Sequence, residues 1–488
     1  MNNDSHIAAS KDVDKEKFTE MQESLYTIPD TMSEQEALDH IKCPFYYRTD
    51  DITTYSSPTV TEMESSIPNQ ALDDRTNKQL QQFVYSASGK YHRLLHCYIT
   101  FKLPDIQVAP EYEDSVQIAL CPNLMHNITN MAILRMPGYE QPIDTAFLDF
   151  YRSNDCPNIK NWDYMIGNRP ELQEWDCVLK TRDELTLPLP FYIDMSPKYS
   201  VPIHLFPPRD GVEVLVRYSL MLENLLRMRI KDEKGVWHEI PPYLPFLETE
   251  SKEIGIPKMW GIYRTVTDEQ IADDSKGYSI IIPDIKYFTE RVVEQNFSID
   301  LTDKQRTIRG VRYGFLNLKA AYYNNHSNYT LSHQNSGVGD DPQEEYELTY
   351  GNIHRISKRG TIHSTAIVNH YNLYNNGGYH GGVHNIIFDF SPYNIYADTG
   401  VVLNKSSILS GSLRTKKSYP IQEEEKENKL KIRPSDSPDK VLKAVLSSHL
   451  ILPKEKRDET ISSQFLLKGF YKFFRRLTFK VGGVIVSD

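Results

Sequence analysis

The sequence has little that could staple it or anchor it. Its five cysteines, Cys43, Cys97, Cys121, Cys156 and Cys177, form no CxxC or similar pair, and the second half of the chain has none. That spacing excludes a metal knuckle or a disulfide framework and leaves free thiols in a reducing compartment as the simple reading. The opening MNNDSHIAASKDVDKEK has no apolar h-region, so no secretory signal is expected. No stretch approaches the roughly 18 uncharged apolar residues of a membrane helix. Without a secretory route, the triplets Asn127-Ile128-Thr129 and Asn328-Tyr329-Thr330 are expected to be chance matches to a glycosylation signal. Positive charge is in deficit: 55 Lys and Arg against 66 Asp and Glu give a net charge of -11. Such a balance argues against a general nucleic-acid binder, whose affinity comes from neutralising phosphates. Helical periodicity is scarce, with candidates only at Thr267–Asp273 and Val441–Leu446.

What is present is aromatic and β-patterned. The 488 residues include 31 Tyr, 19 Phe and 4 Trp, a composition that suits a large β-rich protein with broad contact surfaces. This length predicts two or three domains with a core that needs no staple. Residues 1–75 read as a polar, acidic arm, with one short helix from a Ser33/Glu36 capping box. Beyond it the period turns to two. Leu95, Cys97, Ile99, Phe101 and Leu103 share a face. So do Val212, Val214, Val216, Tyr218, Leu220 and Leu222, with Asn224 marking a bulge or turn before a further strand. Leu316, Leu318, Ala320 and Tyr322 form another such series, as do His384, Ile386, Phe388 and Phe390, and Phe473, Leu477, Phe479 and Val481. Turn-formers such as Pro207-Pro208-Arg209-Asp210-Gly211 and Asn375-Asn376-Gly377-Gly378 lie between them. Many short strands so punctuated predict sandwiches or jelly rolls. Two in tandem fit the length, with a seam in the charged segment around 268–290. The polar stretches Asn324–Glu347 and Lys416–Lys440 are expected as surface loops outside the strand framework.

Catalytic signals are weak. No GxSxG, GxxxxGK[ST] or GxGxxG occurs. His380 and His384, with His363 and His370 upstream, have zinc-like spacing, but two glycines replace the helix that such a pair needs. They are read as surface imidazoles in a turn between strands. Cys177 and His204 could be imagined as a thiol site, although an isolated Cys is commonly buried. The basic–aromatic run Lys468–Arg476 could meet nucleic acid or anionic lipid, but its alternation favours an ordinary strand. The run Glu423-Glu424-Glu425-Lys426-Glu427 reads as a solvated loop. No catalytic, cofactor-binding or metal residue is assigned, and no enzyme is expected.

One cluster points further. Leu187-Pro188-Leu189-Pro190-Phe191-Tyr192-Ile193 is followed by Tyr199-Ser200-Val201-Pro202-Ile203-His204-Leu205 and the strand from Val212. It resembles the double jelly-roll capsid proteins of nucleocytoplasmic large DNA viruses, in which an LPLPF-type segment precedes a similar Pro-marked segment and a V-x-V strand. Leu124–Tyr139 resembles that family's early strand and turn. Trp260–Glu269 resembles the strand that closes its first jelly roll. Gly381–Pro392 resembles a conserved segment of the second, and Phe470–Val486 the final strand pair around a glycine turn. In the stretch Ala397–Ser407, Gly400, Asn404 and Ser406 match the family string, whereas its Pro and Arg have no counterpart.

The resemblance implies an all-β fold of two tandem eight-stranded antiparallel jelly rolls. An N-terminal arm would occupy 1–75, the first jelly roll 76–285 and the second 286–488. It implies a structural capsid protein whose homotrimers form pseudo-hexagonal capsomers tiling an icosahedral shell. Partners would be neighbouring capsomers, minor capsid and penton proteins and, as a further candidate, the inner viral membrane, with no direct nucleic acid. Its place would be the virion shell, assembled in host cytoplasm. An assembly scaffold or minor capsid paralogue is the nearest alternative. A carbohydrate-binding or cell-attachment jelly roll, and a cupin-like metal enzyme using His363, His370, His380 and His384, are alternatives of other classes.

Overall fold

The computed structural model describes residues 59–63, 78–85 and 92–487, apart from the internal segments 181–182, 196–198, 208–210, 249–256, 265, 293, 304–305, 332–339, 351–352, 372–381, 389–400, 403–406, 415–435 and 451–464. The helix expected at Ser33, the turn Asn375–Gly378, His380, Cys43 and the run Glu423–Glu427 lie outside the described residues, as does most of Ala397–Ser407.

Among the described residues every strand pairing is antiparallel. In the first half, one sheet runs Thr59–Met63, Lys258–Arg264, Arg93–Phe101, Leu185–Pro188. A second runs Lys78–Tyr85, Val212–Ser219, Thr129–Met136, Tyr139–Asp144. A third joins Trp237–Ile240, Leu226–Lys231 and Val116–Leu120. In the second half, Tyr278–Val292, Phe465–Lys480, Thr307–Asn317 and Val383–Ile387 pair in that order. The sheet Asn296–Asp300, Ile408–Leu413, Gln343–Tyr350, Ile353–Gly360 lies across a core from them. Pro283 interrupts Tyr278–Val292 without cost to the ladder because that strand is at a sheet edge, where a missing N–H loses nothing.

The period-two faces are buried as their spacing predicts. Leu95, Cys97, Ile99 and Phe101 are at most 4% exposed, and Val212, Val214, Val216 and Tyr218 are wholly buried. Asn224 does mark a turn: a 3-10 turn at Leu222–Asn224 carries the chain from one sheet to the next. Two extrapolations of the period fail for local reasons. The series from Leu316 breaks at Asn317, whose Oδ1 accepts from the Ala320 amide at 3.2 Å and starts the helix Leu318–Tyr322. The final series ends at Lys480, because Val481 and Gly482 turn the chain and leave Val481 exposed. Leu124–Ile128, matched to a strand, is a helix; the strand begins at Thr129.

The helix expected at Thr267–Asp273 is present as Asp268–Ser275, closed by a Thr267/Gln270 capping box. The one expected at Val441–Leu446 extends over Pro438–Leu450. Two further short helices were not expected. Thr145–Asn154 is started by Asp144, which accepts from the Phe147 amide, and Ile159–Ile166 runs between an Asn158 cap and Gly167 in the left-handed region.

Two apolar cores form among the described residues, and Tyr278–Val292, Thr307–Asn317, Val383–Ile387 and Phe465–Lys480 each feed both. Phe465, Leu467, Tyr471 and Phe473 belong to the second core, with Phe297, Phe315, Tyr346 and Leu409. Phe470, Leu477 and Phe479 of the same strand belong to the first. Phe470 meets Phe147 and Phe150 on the helix Thr145–Asn154, at ring separations of 5.4 and 6.0 Å. Each such fully buried side chain contributes about 1.5–3 kcal/mol. Gly469 in this strand admits no side chain, since a Cβ would stand 2.3 Å from the Phe288 ring and 2.7 Å from the Arg312 carbonyl oxygen. Calorimetry is therefore expected to show one unfolding transition for both sandwiches. Gly469→Ala should lower that whole transition, at a cost of about 1–3 kcal/mol; two transitions, only one of them shifted, would contradict the shared strands.

Candidate functional site

The densest polar chemistry lies where the two sandwiches meet. The segment Asn324–Thr330, expected outside the strand framework, is instead a plug pressed against the first half. Its first residue, Asn324, takes the left-handed conformation that Asn tolerates and donates from Nδ2 to the carbonyl oxygens of Glu223 and Leu226. His326 Nε2 donates to the Asn224 carbonyl at 3.1 Å. Ser327 Oγ and Tyr329 OH donate to the two carboxylate oxygens of Asp149, at 3.0 and 3.2 Å. From behind, Gly382 abuts the plug so closely that a Cβ would lie 1.9 Å from the Tyr329 carbonyl oxygen.

Asp149 stands on Thr145–Asn154 and is 3% exposed. Besides the plug it takes Asn123 Nδ2 at 2.7 Å and His126 Nδ1 at 2.8 Å. The His126 tautomer follows from its other nitrogen. Trp162 Nε1–H can only donate, and it lies 3.1 Å from His126 Nε2, so Nε2 accepts and Nδ1 carries the proton. Burial pushes the His126 imidazole below its ordinary value, and the Asp149 carboxylate offsets this only in part. An Asp–His pair of this kind resembles a catalytic dyad. Here the nitrogen that would serve as base is occupied by an indole and sealed from solvent.

A second knot lies one turn along. Asp155, which caps the same helix, receives the Arg312 guanidinium through both Nη atoms and Lys472 Nζ at 3.2 Å. Arg312 Nε donates to Asn385 Oδ1 at 2.6 Å, and Asn385 reaches Asn154 at 3.1 Å. Burial and the Arg312 charge pull the Lys472 ammonium down to about 8. The basic–aromatic run Lys468–Arg476 is thus a strand, and Lys472 within it serves the interior rather than a nucleic acid. A third contact joins the turn Met136–Tyr139 to the C-terminal strand. Val484 N–H donates to Pro137 O at 2.8 Å, and Gly138, at φ +93°, sits where a Cβ would be 2.2 Å from Val484 O.

The other expected groups are placed differently. His384 is no surface imidazole: it is fully buried, stacks on Tyr313 at 4.9 Å and lies 2.9 Å from Ser364 Oγ and 3.3 Å from Asp341 Oδ1. Burial alone would raise the Asp341 carboxyl, but the His384 charge and hydrogen bond hold it below its ordinary value. Ser364, His384 and Asp341 make a serine–histidine–aspartate constellation, yet Ser364 and His384 are 0% exposed and Asp341 3%, so no substrate reaches the hydroxyl. His363 bonds the Tyr346 hydroxyl at 2.5 Å and His370 is exposed. Among the described residues no three His, Cys, Asp or Glu side chains are grouped to hold a metal.

Cys177 and His204 have separate partners. The Cys177 thiol donates to Glu113 O at 3.1 Å, whereas His204 faces Asp274 and the His92 carbonyl. Cys121, Cys156 and Cys177 are free thiols, and burial pushes the Cys121 thiol up to about 12. Both Asn-x-Thr asparagines are buried, Asn127 at 7% and Asn328 at 0% exposure. Sequence reasoning missed Asp149, Asp155, His126 and Arg312. The one available signal was the density of Asn, His and Ser in 324–328, groups that hydrogen-bond backbone.

Replacing Arg312 by Ala takes the two-pronged donor away from the largely buried Asp155 carboxylate, and is expected to cost about 3–5 kcal/mol. Denaturant titration should give that loss, with Arg312→Lys recovering part of it but not the two-pronged contact; no change in either variant would remove this knot from the account of stability.

No family model matches the sequence, and no curated protein matches it. Solved structures do. PBCV-1 VP54, as fitted into a reconstruction of the virophage Sputnik, matches with TM-score 0.58 and 12% identity, over 89% of this chain and 97% of that one. The Faustovirus major capsid protein matches with TM-score 0.59 and 8% identity, over 86% and 90%. The quasi-atomic PBCV-1 capsid gives TM-score 0.57 and 11% identity, over 89% and 97%. At such identities the likeness is one of fold, and it runs nearly the whole length of both chains: this chain has the all-β double jelly-roll architecture of those viral capsid proteins.

Proposed function

We propose that the chain is a structural capsid protein and not an enzyme. The observation that carries this is the match along nearly the full length of viral major capsid proteins. The seam supports it. The buried polar groups at the meeting of the sandwiches are spent on holding them together, and the two catalytic look-alikes are closed to solvent. A block made rigid this way suits a shell tile, which must keep its outline while its edges meet neighbours.

On this reading the first jelly roll takes in the strand Thr59–Met63, which the expected arm of 1–75 would have excluded, and the second begins with the strand Tyr278–Val292, which the expected boundary at 285 would have cut. Three copies form a pseudo-hexagonal capsomer, and capsomers tile an icosahedral shell in the virion, assembled in host cytoplasm. Two similar sandwiches per copy present six around a threefold axis, which is how a trimer fills a hexagonal lattice. Neighbouring capsomers, minor capsid and penton proteins and the inner viral membrane are the proposed contacts, with the genome enclosed and not bound directly. Light scattering on purified protein should give three times the chain mass of 56.6 kDa, and particle averages should show a six-cornered outline. A monomer that persists at micromolar concentration would sink the proposal.

A further inference from the structure

Two imidazoles hold the plug, and one of them, His126, is satisfied only while neutral. His126 uses both nitrogens, Nδ1–H toward Asp149 and the Nε2 lone pair toward the Trp162 indole. A second proton on Nε2 would set two N–H donors against each other 3.1 Å apart in a site without solvent. Asp149 favours a charged ring but offsets the cost of burying it only in part, and its Oδ1 already accepts from Asn123, His126 and Ser327. His326 sits within the plug itself, bonded to the Asn224 carbonyl.

The charged neighbours of both rings point the same way. Facing His126 are Asp149 and Arg152 from Thr145–Asn154, and Trp162 and Asp163 from Ile159–Ile166; Arg152 and Asp163 neutralise each other as an ion pair. Facing His326 are Lys468 from the C-terminal strand, which repels a proton there, and Asp149, which attracts one. Both rings are held below their ordinary value, in each case chiefly by burial. A histidine lowered in the folded state gives stability that is complete above its unfolded value of about 6.5 and is lost as pH falls through it.

We propose that the plug Asn324–Thr330 is an acid-operated latch between the two sandwiches, opened when protons are taken up at His126 and His326. The latch is a property of the single chain and does not depend on the capsid reading, although in a shell it would loosen every tile at once. It is local. Elsewhere Asp284, beside Arg475, is raised to about 6 by burial, so its protonation relieves the cost of burying that carboxylate and adds folded-state stability as the pH falls, opposite in sign to the plug.

Hydrogen exchange on the full-length protein between about pH 7.5 and pH 5.0, corrected for intrinsic rates, reads both places. Opening of amides 324–330 should rise on the order of tenfold or more, with amides around Asp284 unchanged or slower. His326→Gln keeps a donor for the Asn224 carbonyl and cannot charge, so it should flatten the rise. His126→Gln should flatten it further, and if that variant does not fold, the wild-type protein and His326→Gln decide the matter. Exchange at 324–330 that is indifferent to pH, that rises equally in all strands, or that rises undiminished in His326→Gln would overturn the latch. Because oligomer mass is measured separately by light scattering, loss of the latch and loss of the trimer are distinct results.

Discussion

A carboxylate taken out of water has to be met by donors, and two such carboxylates on one short helix organise the meeting of the sandwiches. Asp149 and the cap residue Asp155 both point from Thr145–Asn154 toward the second half, which supplies Ser327, Tyr329, Arg312 and Lys472 to them. Removing such a charge from water costs several kcal/mol, offset only when every lone pair is used. Partial docking would therefore be worse than none, so the two halves have one relative position and little tolerance around it. Apolar contact makes docking favourable, through Phe470 against Phe147 and Phe150. The polar groups decide the register of that contact.

Much of this was legible in the residues, and what was not is informative. Period-two faces located the strands around Leu95–Phe101 and Val212–Tyr218 because one-sided burial writes itself into alternation. It failed at Asn317, where a single side chain caps a helix and ends the strand, and at Gly482, whose positive φ turns the chain. The helices Thr145–Asn154 and Ile159–Ile166 were invisible for a different reason. They are only 10 and 8 residues long, so each shows two or three turns of its apolar stripe, too little for the helical period to stand out among the strands around it.

The seam could not be read because its members are distant in sequence and unremarkable one by one. Asp149, Asp155 and His126 carry no motif, and Arg312 looks like any strand arginine until Asp155 stands opposite. The stretch 324–328 looked like a loop for the very composition that lets it serve as a plug, since Asn and Ser side chains satisfy foreign carbonyls as readily as water does. The resemblance to capsid proteins rested on order along the chain and not on any one string, and it identified the architecture that the solved structures share.

The strand Phe465–Lys480 follows nearly all the residues it packs against. It pairs with Tyr278–Val292 and Thr307–Asn317 and supplies side chains to both cores. Closing contacts of such long separation is slow, because loop entropy is lost before burial repays it. During synthesis, at about 5–20 residues per second, the first sandwich must wait with an apolar face uncovered while the rest of the chain is made. The strand that shields that face emerges after nearly all of its partners, so the chain cannot become a finished, non-sticky body until synthesis has reached it. Any truncation before it should yield an aggregate instead of a smaller domain.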